Sequence, residues 1–355
     1  MTTNQLAYGF TGKTHLLGQR LTDVGSAVVW SMIQESVSEY NRQLSAMLAA
    51  VAAPTTNYTE RFRLPSSGTL QPLDEWGNPR PERLGDYFDV AFPLQGGGTA
   101  FGLNRVSSEL VTVDEINALT VERLQRDADW MRRHMLAALF TNTTWSYADD
   151  QHGTLTIQPL ANGDTVTYGL SGGTVATDTH YLAQASAIDD SNNPYDDIYS
   201  ELMEHPSNSG PVVAYVATDL VATTKALTAF VEIGDPDLRY GTGATQIAAP
   251  FSRRFGDEVL GKVNGVWVVE WRALPSTYMV AFAEGGGPSL GMRQYPSAAL
   301  QGLFTENHSP DGNLQESRFI RYAGFGVRNR ISAVVQRIGN GSYAIPTGYT
   351  APLPA

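Results

Sequence analysis

Residues 55 to 111 limit most tightly what this chain can fold into. The stretch TTNYTERFRLPSSGTLQPLDEWGNPRPERLGDYFDVAFPLQGGGTAFG sets proline and glycine at short intervals around brief period-two alternations, as from Tyr87 to Phe92. That pattern predicts an extended two-stranded excursion with polar turns. Two strands alone enclose no core and are at best marginally stable in water. The excursion must therefore lie on something else, and a neighbouring subunit is the expected support.

Long helices flank it. From Thr22 to Ala52 the apolar residues Val29, Ile33, Val37, Tyr40, Leu44, Met47 and Val51 recur at spacings of three and four, the mark of an amphipathic helix, which Pro54 ends. After the excursion, Thr112 and Glu115 have the spacing of a capping box. Val121, Leu124, Ala128, Met131, Met135 and Leu139 then form one stripe. About 28 helical residues make a rod of roughly 42 Å at 1.5 Å per residue, long for a globular helix. Its other face carries Arg123, Arg126, Asp127, Arg132 and Arg133, either a solvated face or one turned to another subunit.

Beyond this helix the elements intermingle. Residues 142 to 178 hold polar turns and a hairpin-like LTIQPLANGDTVTYG. Pro194 to His205 reads as a helix, residues 212 to 217 as a buried strand and Thr218 to Phe230 as the helix behind it. Strands are expected in VWVVEWRAL, TYMVAFA, RFIRYAGFGV and RISAVVQRI. Such mixing predicts an α+β fold.

Several function classes are disfavoured. With 36 acidic against 24 basic residues the net charge is -12, unlike the basic faces that replace phosphate counterions in nucleic-acid readers. Cysteine is absent, which removes disulfides, thiolate zinc sites and cysteine nucleophiles. LSAMLAAVAA, at 44 to 53, is far shorter than the roughly 18 residues of a membrane span, and no secretory signal pattern opens the chain. Lysine occurs only at Lys13, Lys225 and Lys262, so nearly all cations are arginines, suited to bidentate pairing with carboxylates.

Short motifs lack their contexts. AYGFTGKT, at 7 to 14, has no buried strand before it and no long helical period after it, as a phosphate-binding loop requires. Gly287-Pro-Ser289-Leu-Gly291 matches a nucleophile elbow, but His308 is the one later histidine, Glu306 is the one carboxylate between them, and Pro296 interrupts the helix the elbow needs. The histidines at 15, 134, 152, 180, 205 and 308 show no HxxxH or HxH spacing for a metal. The acidic loop at 188 to 197 could offer oxygens to a hard cation, but lacks the calcium-loop glycine and reads as a helix-capping loop. The glycine runs at 96 to 98 and 285 to 287 read as turn tips. No catalytic, cofactor or metal residue is expected.

The order of long helix, coreless ribbon, second long helix, mixed domain and returning strands resembles the major capsid proteins of tailed double-stranded DNA bacteriophages, with their Hong Kong 97 (HK97-like) fold. The most specific likeness is ESRFIRYAGFGVRNRISAVVQRI, from Glu316, similar to the closing strand of many such capsid proteins: an arginine, an aromatic-Gly-aromatic-Gly element, Val-Arg-Asn-Arg, then small and β-branched residues. GKVNGVWVVEWRALPSTYMVAF, two strands about a Leu-Pro turn, is the second. The resemblance implies an N-terminal arm at 1–53, an extended E-loop at 54–111, a peripheral domain at 112–179 with its spine helix at 112–140, an axial domain at 180–305, and a return to the peripheral domain at 306–355.

It also implies a structural subunit of hexamers and pentamers in an icosahedral head, enclosing DNA without sequence-specific binding, located in the virion and assembled in the host cytoplasm. Arg61, Arg63, Arg80, Glu82, Arg83 and Asp86 would then make contacts between subunits, and Arg123, Arg126, Arg132 and Arg133 would form the polar face of the spine helix, turned to a neighbour or to the lumen. Some relatives crosslink through an E-loop lysine; residues 54 to 111 contain none, so a noncovalent shell is expected, with a decoration protein as a possible partner. About 53 residues before the E-loop are too few for a fused scaffolding segment, so a separate scaffolding protein is expected beside a portal at one vertex. The competing expectations are an encapsulin-type compartment shell and a serine hydrolase built on Ser289.

Overall fold

The computed structural model describes residues 9–10, 12–49, 51–63, 73–78, 87–232, 258–308 and 314–354. The first helical period is broken by Gly25, whose φ of 90° separates the turn Leu21–Val24 from the helix Ser26–Leu48. Glycine tolerates that angle where a side chain would not. The helix stops at Leu48, short of the expected Ala52, because Ala52–Thr55 is a strand. Pro54 sits within it, at the edge of a sheet, where its missing N–H costs least.

Val113–Phe140 is the expected 28-residue helix. Thr112 Oγ1 accepts from the Glu115 amide at 3.3 Å and Glu115 Oε2 accepts from the Thr112 amide at 2.8 Å, completing the capping box. The helix lies against Ser26–Leu48 and against the strand Leu314–Val327.

That strand organises a five-stranded sheet. In order, Ala52–Thr55 pairs with Leu290–Arg293, which pairs with Leu314–Val327, which pairs with Leu303–His308; Gln95–Asn104 also runs along Leu314–Val327. Only part of the 55 to 111 segment is therefore ribbon. Thr59–Arg63 and Tyr87–Ala91 pair with each other and with no third strand among the described residues. Residues Gln95–Asn104 return to the body and Arg105–Leu110 is a helix.

Gly96, Gly97 and Gly98 are not a turn tip but lie inside that returning strand. A Cβ there would meet the Tyr322 ring at 2.8 Å, the Trp130 ring at 3.2 Å and the Phe319 carbonyl oxygen at 3.3 Å, so the run lets rings and backbone lie flat on the strand. The second glycine run is a turn as expected, Glu284–Gly286 followed by Gly287 at φ 78°.

A seven-stranded sheet forms the other half, in the order Phe230–Glu232, Glu258–Val263, Val266–Glu270, Val212–Val216, Tyr278–Ala283, Ala333–Ile338 and Tyr181–Gln184. Its central strands separate two cores. Val213 and Tyr215 pack with the long helices, while Val212, Ala214 and Val216 pack under the helix Pro194–Met203. Burial on both faces explains why VVAYVA reads as an unbroken apolar run.

The expected helix from Thr218 to Phe230 shrinks to one 3-10 turn and Val221–Lys225, before the strand at Phe230; β-branched Val221, Thr223 and Thr224 are poor helix formers. The single hairpin expected across 155 to 169 is instead two, Trp145–Asp149 with Gly153–Ile157 and Tyr168–Leu170 with Thr174–Ala176, since Pro159 cannot continue a ladder. Strand pairing also crosses the blocks drawn along the sequence: Leu290–Arg293 and Leu303–His308 join the first sheet, and Ala333–Ile338 joins the second.

Candidate functional site

The ribbon leaves the body at a root built from a buried ring, glycines, buried and bridging ion pairs and one aromatic stack. Phe92, fully buried, lies across the first sheet where the sheet carries only glycine. A Cβ at Gly291 would come within 2.3 Å of its ring; at Gly326 and Gly324 it would come within 2.6 Å of the Ala91 carbonyl oxygen and 2.2 Å of the Pro93 carbonyl oxygen. The Gly324-Phe325-Gly326 element is thus the seat on which the ribbon's return strand crosses.

Arg293, Asp149 and two aromatic residues fix that crossing. Arg293 Nη1 donates to the Phe92 carbonyl at 3.0 Å and to Asp149 Oδ2 at 2.7 Å, with both side chains 5% exposed. Burial raises the Asp149 carboxyl, but the Arg293 guanidinium and the Gln151 and His152 amides outweigh it and hold it below the usual carboxylate range. Tyr58 stacks on His152 with centroids 3.9 Å apart. Arg328 Nε donates to Glu60 Oε2 at 2.7 Å, joining body to ribbon.

The Val-Arg-Asn-Arg stretch divides its work. Arg328 reaches the ribbon. Asn329 Nδ2 donates to the Gly286 carbonyl at 2.8 Å. Arg330, 1% exposed, donates to the Pro159 carbonyl at 2.7 Å and to Asp164 Oδ2 at 2.6 Å. Upstream, Arg321 binds Asp127 of the spine helix through two parallel contacts of 2.7 Å, and Asp127 Oδ2 also accepts from Tyr40 Oη at 2.7 Å. The strand Leu314–Val327 and the turn after it therefore tie the ribbon, the loop at 159 to 164, the long helix Val113–Phe140 and the first long helix together.

The expected contact residues separate under this geometry. Arg61 pairs within its own chain, with Asp89 across the ribbon, through bonds of 2.7 and 2.9 Å; the guanidinium holds the Asp89 carboxyl below its ordinary range. Arg63 is exposed and borders a cavity of about 580 Å³ between ribbon and body, shared with Phe62, Phe88, Tyr168 and Arg330. Arg80, Glu82, Arg83 and Asp86 lie outside the described residues.

On the spine helix, Arg126, Arg132 and Arg133 face outward; Arg126 pairs with Glu122 and Arg132 with Asp129. Arg123 is 11% exposed, its guanidinium 6.0 Å from the Phe101 ring centre. Asp127 does not belong to that polar face. It falls on the buried line Ile116, Thr120, Leu124, Met131 and Met135, where only a paired charge is tolerated.

Two other expectations meet the structure. Ser289 is 1% exposed, shares a 2.8 Å hydrogen bond with Ser332 and precedes a strand, not a helix; the elbow that would expose a nucleophile is not formed. The acidic loop caps a helix as expected: Asn193 accepts from the Tyr195 amide, Pro194 opens Pro194–Met203, and Asp189 accepts from the Ser191 and Asn192 amides. Histidine spacing did not show a cluster that the fold makes. His180 and His205, 25 positions apart, converge on Asp178.

No protein-family model matches the chain, and no curated protein matches it. Solved structures do. Over 99% of this chain and 98% of the other, it is similar to a structure from Mycobacterium phage Patience, with a TM-score of 0.67 and 21% identity. A chain of the mature capsid of bacteriophage PhiM1 is similar over 83% of this chain and 87% of its own, with a TM-score of 0.52 and 10% identity. The capsid of cyanophage P-SCSP1u gives 82%, 87%, 0.51 and 12%. These likenesses give the chain, with its 28-residue helix Val113–Phe140, two-stranded ribbon and two larger sheets, the HK97-like α+β fold seen in phage capsid structures.

Proposed function

We propose that this chain is a major capsid protein, a structural subunit and not an enzyme, which assembles with its own copies into the hexamers and pentamers of an icosahedral shell around double-stranded DNA. The observation that carries this reading is the ribbon. Among the described residues its two strands pair only with each other, and Tyr58, Leu73, Trp76 and Tyr87 stand 41, 61, 85 and 57% exposed on it. Large apolar side chains gathered on one projecting element mark an interaction surface. A copy of the same chain is the natural partner, since the capsids of similar fold are built from repeated subunits. The acidic balance suits a container from which DNA must leave, because a surface that releases few counterions holds phosphate weakly.

The register supplies a clean test. Arg63 lies opposite Tyr87, so replacing residues 64 to 86 by Asn-Gly closes the ribbon as a two-residue hairpin without disturbing its root. Sedimentation velocity and negative-stain imaging should show rings of five or six subunits, or closed shells, for the intact chain, and folded but unassembled subunits for the shortened one. Shells formed equally by both would remove the ribbon from assembly. An encapsulin-type shell is distinguished by its contents, a cargo enzyme in place of a genome.

A further inference from the structure

Asp178, His180 and His205 meet where the edge strand Tyr181–Gln184 begins and the helix Pro194–Met203 has ended, and the ring of Tyr168, which lines the ribbon cavity, packs on His205. His180 and His205 are fully buried and the Asp178 side chain is 9% exposed. Each imidazole has one nitrogen already committed. His180 Nδ1–H donates to the Ala333 carbonyl at 2.7 Å and His205 Nδ1–H to the Gly169 carbonyl at 3.1 Å. A carbonyl only accepts, so both rings carry their proton on Nδ1 and turn Nε2 inward.

The three inward atoms are close-set. Asp178 Oδ2 lies 2.9 Å from His180 Nε2 and 2.7 Å from His205 Nε2, and the two nitrogens are 3.2 Å apart. Asp178 Oδ1 is occupied by the Thr179 amide at 2.7 Å, which aims Oδ2 at the rings. Two imidazole lone pairs and a carboxylate oxygen, packed together out of water, repel unless positive charge lies among them. A proton on one ring satisfies some of these contacts; a cation satisfies all three.

We propose that Asp178, His180 and His205 bind one divalent transition-metal ion of the zinc class. Imidazole nitrogens whose other N–H is held by a backbone carbonyl, joined by a carboxylate, are the ordinary donor set of such an ion. Donors around a tetrahedral zinc with bonds of 2.0–2.1 Å stand about 3.3 Å apart, so the triangle needs to open by only a few tenths of an ångström. Glu204, whose Oε1 lies 3.9 Å from His205 Nε2 and whose carboxylate lies within 4.8 Å of that of Asp178, is placed to supply a fourth oxygen. The ion would pin the edge strand Tyr181–Gln184 to the chain that follows the helix Pro194–Met203, stiffening the seven-stranded sheet at its rim.

The test uses the full chain, stripped with a chelator, incubated with Zn²⁺ and desalted. Mass spectrometry for metal should find about one zinc per chain, with a raised melting temperature, and His205→Asn and Asp178→Asn should retain less than about a tenth of it. Zinc-edge X-ray absorption of the unaltered, zinc-loaded chain should show two imidazoles, a readout that does not depend on how a variant folds. No retained zinc, retention unchanged in both variants, or an absorption spectrum without imidazole would overturn the proposal.

Discussion

At the scale of single residues, the informative positions are charged side chains on apolar faces. Arg321 has the same strand parity as buried Phe319, Ala323, Phe325 and Val327, and Asp127 has the same helical phase as Leu124 and Met131. Either one alone would be an uncompensated buried charge; together they pair at 4 and 7% side-chain exposure. Asp127→Asn should therefore cost the unassembled subunit about 3–5 kcal/mol, because it leaves a buried guanidinium unpaired, and urea unfolding measures it. An unchanged midpoint would mean that water enters the site. His134 gives a pH prediction. Burial, with the nearby charge of Arg133, pushes its imidazole down from the ordinary 6.5 to about 4, beneath the Trp130 ring 4.1 Å away. The unfolded chain takes up this proton as pH falls through 6.5, the folded chain only near 4. Its contribution is thus complete above pH 6.5 and is lost between 6.5 and 4, on the order of 1–2 kcal/mol for a group with some solvent access. The difference in unfolding free energy between the unaltered chain and His134→Phe should vary with pH in that window and be flat above it.

At the scale of elements, the ribbon is decided at its root. The strand Leu314–Val327 carries glycine where Ala91 to Pro93 crosses it and Arg321 where it meets the long helix, and Arg328, just past its end, reaches the ribbon. Gly324→Ala places a methyl group 2.2 Å from the Pro93 carbonyl oxygen. Neither backbone can yield without breaking the pairing of Leu290–Arg293 with Leu314–Val327, so the expected loss exceeds the roughly 1–3 kcal/mol of ordinary overpacking. Limited proteolysis should then cut the chain near residues 58 to 63 and 87 to 92 faster than in the unaltered subunit; equal rates would show that the seat adapts.

At the scale of the whole molecule, assembly should be noncovalent. Residues 54 to 111 contain no lysine, so no side-chain amine of this segment can attack a neighbour's side-chain carbonyl. Shells boiled in detergent should run as one band at the subunit mass, and a ladder of multimers would contradict this. Much of the architecture was legible along the chain. Periodicity located both long helices, Thr112 and Glu115 marked the spine helix start, and the unbroken apolar run at 212 to 217 announced a strand buried on both faces. These features were legible because they are local: backbone propensity, capping and burial pattern act within one or two turns or one strand. What lay between distant segments was decided by tertiary structure alone. The glycine run at 96 to 98 became a strand because the Tyr322 and Trp130 rings lie over it. Asp127 became a buried anchor because Arg321 arrives from 194 positions away. Asp178, His180 and His205 became one cluster because the segment before the edge strand Tyr181–Gln184 meets the turn after the helix Pro194–Met203. Sequence determines which faces are apolar and where chains turn; which charges can be buried depends on partners that only the folded chain brings within hydrogen-bonding distance.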